Sequence, residues 1–400
     1  GETLPAGGGI LVVPGAEDEP LHALFEASVV AGPECTAAVT AEEIISYGEL
    51  DSRANVLAWH LRIVCGVGPE SLVGLCVKPC VGMLVGMLGI MKAGGAYVPL
   101  DPLYPATRFA AVVTHTSTNV WLLQAGFAKI KSIVANIAPH AERVSIDQMG
   151  NSVAENTIDE ILPLTGGGMR ACYLTYTSGS TGNPKGIVTQ HCNVRWFLAA
   201  IDMFLEHFIA YDFVLAANIV FDMSIRTIWV PFSHGGAVLV PGRSILVDAN
   251  ELVNFIGSRQ SALICTPTLL SILVDTGLPQ SDVINYVECA GECLNRVLVD
   301  KAHTVSRVVV NAYGPTEGTM VSTRTFCDES WREGSVGKPN MNVQAFIMRP
   351  QGAELQCNGC AGELILSGPQ ITRGYANFAK SSSMKFRAQL LPSSNKGAHY

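Results

Sequence analysis

Residues 177–186 read Thr-Ser-Gly-Ser-Thr-Gly-Asn-Pro-Lys-Gly, so three glycines, four hydroxyl side chains and a lysine share ten positions. The apolar-rich run 173–176 leads straight into them. Glycines let backbone N–H groups turn toward a ligand, and hydroxyls and an ammonium add donors, so the segment is suited to phosphate oxygens. It is not the GxxxxGK[ST] loop, because Pro184 stands five positions after Gly179. A flexible linker is the competing reading, and Pro184 with the apolar flanks argues against it.

A second chemical position is Asp222, set between Phe221 and Met223. A carboxylate there would be partly desolvated and would seek a cation. The alternative is an N-cap for a helix over 224–232. The only C-x-x-C, Cys357 to Cys360, encloses an Asn-Gly turn and has neither a second pair nor a nearby histidine. The twelve cysteines therefore read as free, mostly buried thiols of a reducing, cytoplasmic compartment rather than a zinc site.

The elements that must hold these groups alternate. Apolar runs at 72–77, 96–100, 120–123, 173–176, 213–216, 237–240, 262–265, 286–289 and 308–312 read as strands, with helical patterns such as 81–92, 249–258 and 268–276 between them. Leu50, Ala54, Leu57 and Leu61 share one helical face. Such alternation predicts mostly parallel sheets covered by helices. After about residue 320 short strands at 322–326, 343–348 and 363–367 follow one another with turns between, predicting a small antiparallel β unit. The expected organisation is a linker over 1–19, two α/β subdomains over 20–320 and the β unit over 321–400.

Composition agrees with a large buried core: 48% of the 400 residues are hydrophobic and 15% charged. The net charge is −8 and no Lys/Arg-rich run occurs, which disfavours a nucleic-acid binder. Window 71–91 is apolar, but Lys78, Pro79 and its glycines favour a strand, turn and helix over a membrane span.

From about residue 20 to 400 the sequence resembles the adenylate-forming superfamily, and within it the adenylation domains of nonribosomal peptide synthetases. Segments 45–50, 91–101, 173–186, 221–224, 311–317 and 362–375 match that family's first six core motifs in order. The resemblance implies two helix-covered, mostly parallel subdomains plus a small distorted antiparallel β-barrel. It implies carboxylate activation with ATP and Mg²⁺, followed by transfer to the phosphopantetheine thiol of a peptidyl carrier domain. Carrier and condensation domains of the same synthetase would be the partners. Matched by motif, Thr181, Lys185, Thr316 and Glu317 would be catalytic, with Glu317 binding Mg²⁺. Thr177, Ser178, Gly179, Ser180, Gly182, Gly291, Asn311, Ala312 and Tyr313 would bind the nucleotide, Tyr313 stacking on adenine. Asp222 would bind the substrate's α-amino group.

The same matching places Met223, Arg226, Ile264, Glu288, Ala290, Ala312, Met320 and Val321 around the substrate side chain. Arg226 lies four residues after Asp222, on the same helical face. A charged Arg and Glu lining a pocket, beside small Ala290 and Ala312, predict a large polar substrate. This resembles fungal siderophore synthetases that load N5-acyl-N5-hydroxyornithine; the alternative is that Arg226 and Glu288 pair with each other. The family's ribose-binding Asp and the lid domain with its Lys have no counterpart up to Tyr400, so residues 1–400 alone are expected to be inactive. Other readings are a non-catalytic nucleotide- or amino-acid-binding fragment, and a relative of acyl-CoA synthetases, the latter disfavoured by Asp222.

Overall fold

A computed structural model describes residues 18–149, 167–177, 184–202, 212–278, 283–349, 355–357, 359–376, 382, 385–388 and 398–399. Two large sheets dominate. The first has nine strands in the order Lys338–Pro339, Thr323–Phe326, Val308–Tyr313, Ile284–Cys289, Ser261–Cys265, Asp212–Val214, Val238–Val240, Thr36–Thr40, Ile44–Ser46. Its pairs from Val308–Tyr313 through Thr36–Thr40 are parallel, and the remaining edge pairs are antiparallel. Ser261–Cys265 and Ile284–Cys289 are buried at every residue, as strands covered on both faces must be.

The second sheet runs Gly374–Ala376, Lys185–Gln190, Ala171–Thr177, Ala96–Pro99, Leu72–Cys76, Val120–Leu123, Glu142–Ser145. The last five are parallel. Lys185–Gln190 is antiparallel to both its neighbours, so the phosphate-suited segment joins two paired strands. The apolar window 71–91 folds as strand Leu72–Cys76 and helix Val81–Lys92. Among the described residues no helix is long and apolar enough to cross a membrane.

One continuous core joins the two sheets: Val73, Tyr97 and Tyr173 of the second pack in the same cluster as Phe213, Val238 and Ile264 of the first. Leu50, Ala54, Leu57 and Leu61 are fully buried in it, as their spacing predicts. At the chain's described start, Leu21 N–H donates to His191 Nδ1 at 3.1 Å and Arg195 pairs with Glu19 at 2.8 Å.

The third sheet is antiparallel, in the order Gln344–Met348, Glu363–Ser367, Ala398–His399, Arg387–Ala388. One strand that the sequence groups with it, and a second that the sequence does not identify, belong to the larger sheets. Thr323–Phe326 folds back on Val308–Tyr313 at the edge of the first sheet, and Gly374–Ala376 completes the second. The first strand of this third sheet among the described residues is Gln344–Met348. A change from parallel to antiparallel rhythm marks a hairpin, and a hairpin can extend an existing sheet edge as readily as it starts a new sheet.

Candidate active site between the two sheets

The carboxyl ends of parallel strands are where open α/β sheets place ligands. Here Ile284–Cys289 leads to Ala290 and Gly291, and Val308–Tyr313 leads to Gly314 through Gly318. The second of these turns is tight. A Cβ on Gly314 would lie 2.5 Å from the Met320 carbonyl oxygen, so only glycine fits. Thr319 and Met320 take positive φ of 56° and 70°, held by the Ser322 N–H donating to the Tyr313 carbonyl at 2.8 Å.

Tyr313 ends its strand with 41% of its surface exposed, an available aromatic face beside buried Ala312. Its neighbour Asn311 is buried and uses its amide N–H on the Ser335 carbonyl at 2.9 Å, tying the 335 loop to the strand. Gly291 has φ +85°, and a Cβ there would touch Met223 Sδ at 3.8 Å, so the 291 turn sits against the Asp222 helix.

Asp222 is half-buried at the N-terminus of helix Met223–His234 and makes no capping hydrogen bond, so the N-cap alternative is not what its side chain does. Burial raises its carboxyl above the ordinary carboxylate value, a hydrogen bond from Thr316 lowers it, and the nearby Glu317 charge raises it. A bound ammonium would offset that burial and repulsion. The Asp222 charge also reaches the buried Tyr173 hydroxyl.

Glu317 sits on the short 3-10 turn Thr316–Gly318 with only 9% of its surface exposed. The Tyr375 hydroxyl donates to its Oε1 at 2.5 Å. Lys185 lies across the gap, its Nζ 5.2 Å from the Tyr375 ring centroid. Thr177 and Lys185 are register partners. Ser178, Gly179, Ser180, Thr181 and Gly182 lie outside the described residues. Among the described residues no three His, Cys, Asp or Glu side chains form a metal cage. One buried carboxylate fits a cation that takes its other ligands from phosphate and water, as Mg²⁺ does.

The side-chain wall differs from its sequence reading. Ile264, Ala290, Ala312, Met320 and Val321 belong to the large apolar core that joins the two sheets, and Met223 packs against it. Arg226 and Glu288 are 1% and 0% exposed and form an ion pair with each other. Tyr286 hydroxyl donates to Glu288 Oε2 at 2.5 Å, and Arg324 Nε lies 3.5 Å from the same oxygen. Burial pushes both guanidiniums down to about 10. The charges serve a buried network, so the inference from charged pocket walls to a large polar substrate loses its premise. Sequence reasoning misses Tyr286 and Arg324, because nothing in their own segments identifies a partner that only the sheet register supplies. Tyr375 is within its reach, since it ends the sixth matched motif.

Residues 25–376 match the AMP-binding enzyme family. The chain is 32% identical over 385 residues to a linear gramicidin synthase of Brevibacillus parabrevis, covering 94% of this chain and 7% of that protein. It is 32% identical over 390 residues to malpinin synthetase of Mortierella alpina, covering 95% of this chain and 5% of that protein. It thus spans a small fraction of these relatives' length. Among solved structures, a holo four-domain nonribosomal peptide synthetase bound to AMP and glycine superposes with TM-score 0.83 at 26% identity, covering 96% of this chain and 28% of that one. The nonribosomal peptide synthetase FmoA3 shares the fold, with TM-score 0.84 at 22% identity over 97% of this chain and 41% of that one. With the family matched over residues 25–376, most of its length, the chain belongs to the AMP-binding enzyme family.

Proposed function

We propose that this chain activates an amino acid by adenylating its carboxylate, as the adenylation unit of a nonribosomal peptide synthetase. The observations that carry the reading are the family match over residues 25–376 and the placement of Asp222 at the head of helix Met223–His234, whose Met223 stands against the Gly291 turn. The amine and carboxylate of an α-amino acid are a few bonds apart, so an ammonium held at Asp222 delivers its carboxylate to the turn expected to hold the α-phosphate. A carboxylate oxygen attacks the α-phosphorus of ATP. The bond from that phosphorus to the bridging oxygen breaks, pyrophosphate leaves, and an aminoacyl-adenylate remains. Catalysis of this kind is mostly positioning and charge neutralisation.

Tyr313 stacks on adenine, Lys185 neutralises the outer phosphates, and Thr316 donates to the α-phosphate. Glu317 holds Mg²⁺, which when bound offsets phosphate charge. The acyl group then passes to a phosphopantetheine thiol of a carrier domain, releasing AMP. The match at 26% identity to a solved nonribosomal peptide synthetase bound to AMP and glycine supports this over a relative of acyl-CoA synthetases.

For the substrate's side chain, Ala290 and Ala312 leave room, which is what still supports a bulky residue such as N5-acyl-N5-hydroxyornithine. The second reading is a compact apolar side chain. It is favoured by the closed Arg226–Glu288 pair and by the burial of Ile264, Ala290, Ala312, Met320 and Val321, each at most 6% exposed. Calorimetry with non-hydrolysable aminoacyl-adenylate analogues of graded side chain separates them. Tight binding of the hydroxyornithine analogue selects the first, and binding limited to small apolar analogues selects the second. No binding by any amino-acid analogue refutes the activation reading itself.

A further inference from the structure

We propose that Tyr375 is a positioning residue that fixes the Glu317 carboxylate and the Lys185 ammonium in one frame across the cleft. The proposal rests on the reading of Glu317 as the metal-holding carboxylate. Tyr375 lies in Gly374–Ala376, the edge strand of the second sheet, opposite Ile187 of the strand that Lys185 begins. Its ring is therefore carried by the same hydrogen-bonded ladder that carries Lys185. The hydroxyl crosses to the other side and donates to Glu317 Oε1 at 2.5 Å, while the Lys185 Nζ stands 5.2 Å from the ring centroid, within cation–π range. The side chain is 9% exposed, so the bond forms out of bulk water.

The main chain of the same segment reinforces the link. Thr372 N–H donates to the Glu317 carbonyl at 2.9 Å, and the Thr319 hydroxyl donates to the Gln370 carbonyl. Arg373 then anchors the segment to the second sheet's flank through Glu70 at 2.5 and 2.9 Å and the Met169 carbonyl at 2.8 Å. Residues 370–376 thus strap the Glu317 turn of the first sheet to the Lys185 strand of the second. With one oxygen held by Tyr375, the carboxylate has a fixed orientation. Mg²⁺ demands near-ideal octahedral geometry and is sensitive to such orientation.

The test uses Mn²⁺ as the metal probe and a non-hydrolysable ATP analogue, with metal affinity read by electron paramagnetic resonance. Tyr375→Phe keeps the ring under Lys185 and removes only the hydroxyl. It is expected to weaken Mn²⁺ binding about tenfold, the lower end for loss of a partner that orients a metal ligand. Metal-free nucleotide binding by calorimetry should be unchanged. Tyr375→Leu, which also removes the ring, should weaken metal-free nucleotide binding as well. In the Glu317→Gln background, Tyr375→Phe should have no further effect. Unchanged Mn²⁺ affinity in Tyr375→Phe, with a clear loss in Glu317→Gln, would overturn the positioning role and leave Glu317's role standing. Unchanged affinity in Glu317→Gln would overturn both. Additive losses in the double variant would also overturn the proposal, since they would place Tyr375 on a route independent of Glu317.

Discussion

The buried network beneath the amino-acid wall makes an asymmetric prediction. One carboxylate, Glu288, faces two guanidiniums, Arg226 and Arg324, and all three side chains are at most 2% exposed. Removing one member of a buried pair costs about 3–5 kcal/mol, because the other charge is left without its counterion. In Arg226→Met, Glu288 keeps the Tyr286 hydroxyl at 2.5 Å and Arg324 at 3.5 Å, so the loss should fall at the low end, about 3 kcal/mol. In Glu288→Gln two buried guanidiniums lose their shared anion, and the loss should reach the high end, about 5 kcal/mol. Unfolding entropy near 2.1 cal/mol/K per residue gives about 0.84 kcal/mol/K for 400 residues, so the Tm should fall by about 3.5 °C and about 6 °C respectively. Scanning calorimetry of both variants checks this. An equal or larger drop for Arg226→Met would refute the reasoning, because it would mean that Glu288 is not the shared anion.

Tyr313→Ala should weaken ATP binding about 5- to 150-fold, the range for loss of one base–aromatic stack, with little change in Tm since the ring is 41% exposed; calorimetry and thermal unfolding check both halves. On the proposed role of Asp222 amino-acid binding needs its ionised form, and burial raises its carboxyl, so affinity should fall on acidification at a higher pH than for an ordinary carboxylate; a calorimetric pH series reads this, and Asp222→Asn should flatten it. Burial, with Lys92 and Arg195 nearby, pushes the His22 imidazole from 6.5 down to about 3. Between those values the unfolded chain binds a proton that the folded chain refuses, so this part of the stability is intact above pH 6.5 and is lost progressively toward pH 3. Urea midpoints against pH should decline less steeply over that window in His22→Gln than in the wild type.

Much of this arrangement is legible in the sequence. The apolar run at 262–265 and the strand pattern at 286–289 become fully buried parallel strands, Glu288 among them through its ion pair with Arg226. The same periodicity cannot say which sheet Thr323–Phe326 extends, since a two-residue alternation looks alike on every antiparallel edge. Asp222 is identifiable by type and neighbours and Glu317 through the resemblance of segment 311–317 to the family's fifth motif, and the fold brings them within electrostatic reach of each other. Arg226 and Glu288 fall in the expected pocket region, but their charges do not face a substrate. They neutralise each other, and the network is completed by Arg324 and Tyr286, whose approach is set by strand register rather than by local sequence. The role of Tyr375 is hidden for the same reason: its partners Lys185 and Glu317 come from two different sheets.

The central claim is that Asp222 selects an α-amino acid for adenylation. The most direct measurement compares two non-hydrolysable acyl-adenylate analogues that differ only in the α-amino group. A hydrogen bond to a charged group contributes about 1.5–3 kcal/mol, so the amino analogue should bind wild type about 10- to 150-fold more tightly than the deamino one. In Asp222→Asn that preference should collapse while the deamino analogue binds as before. Equal affinity of the two analogues for the wild-type chain would contradict the account.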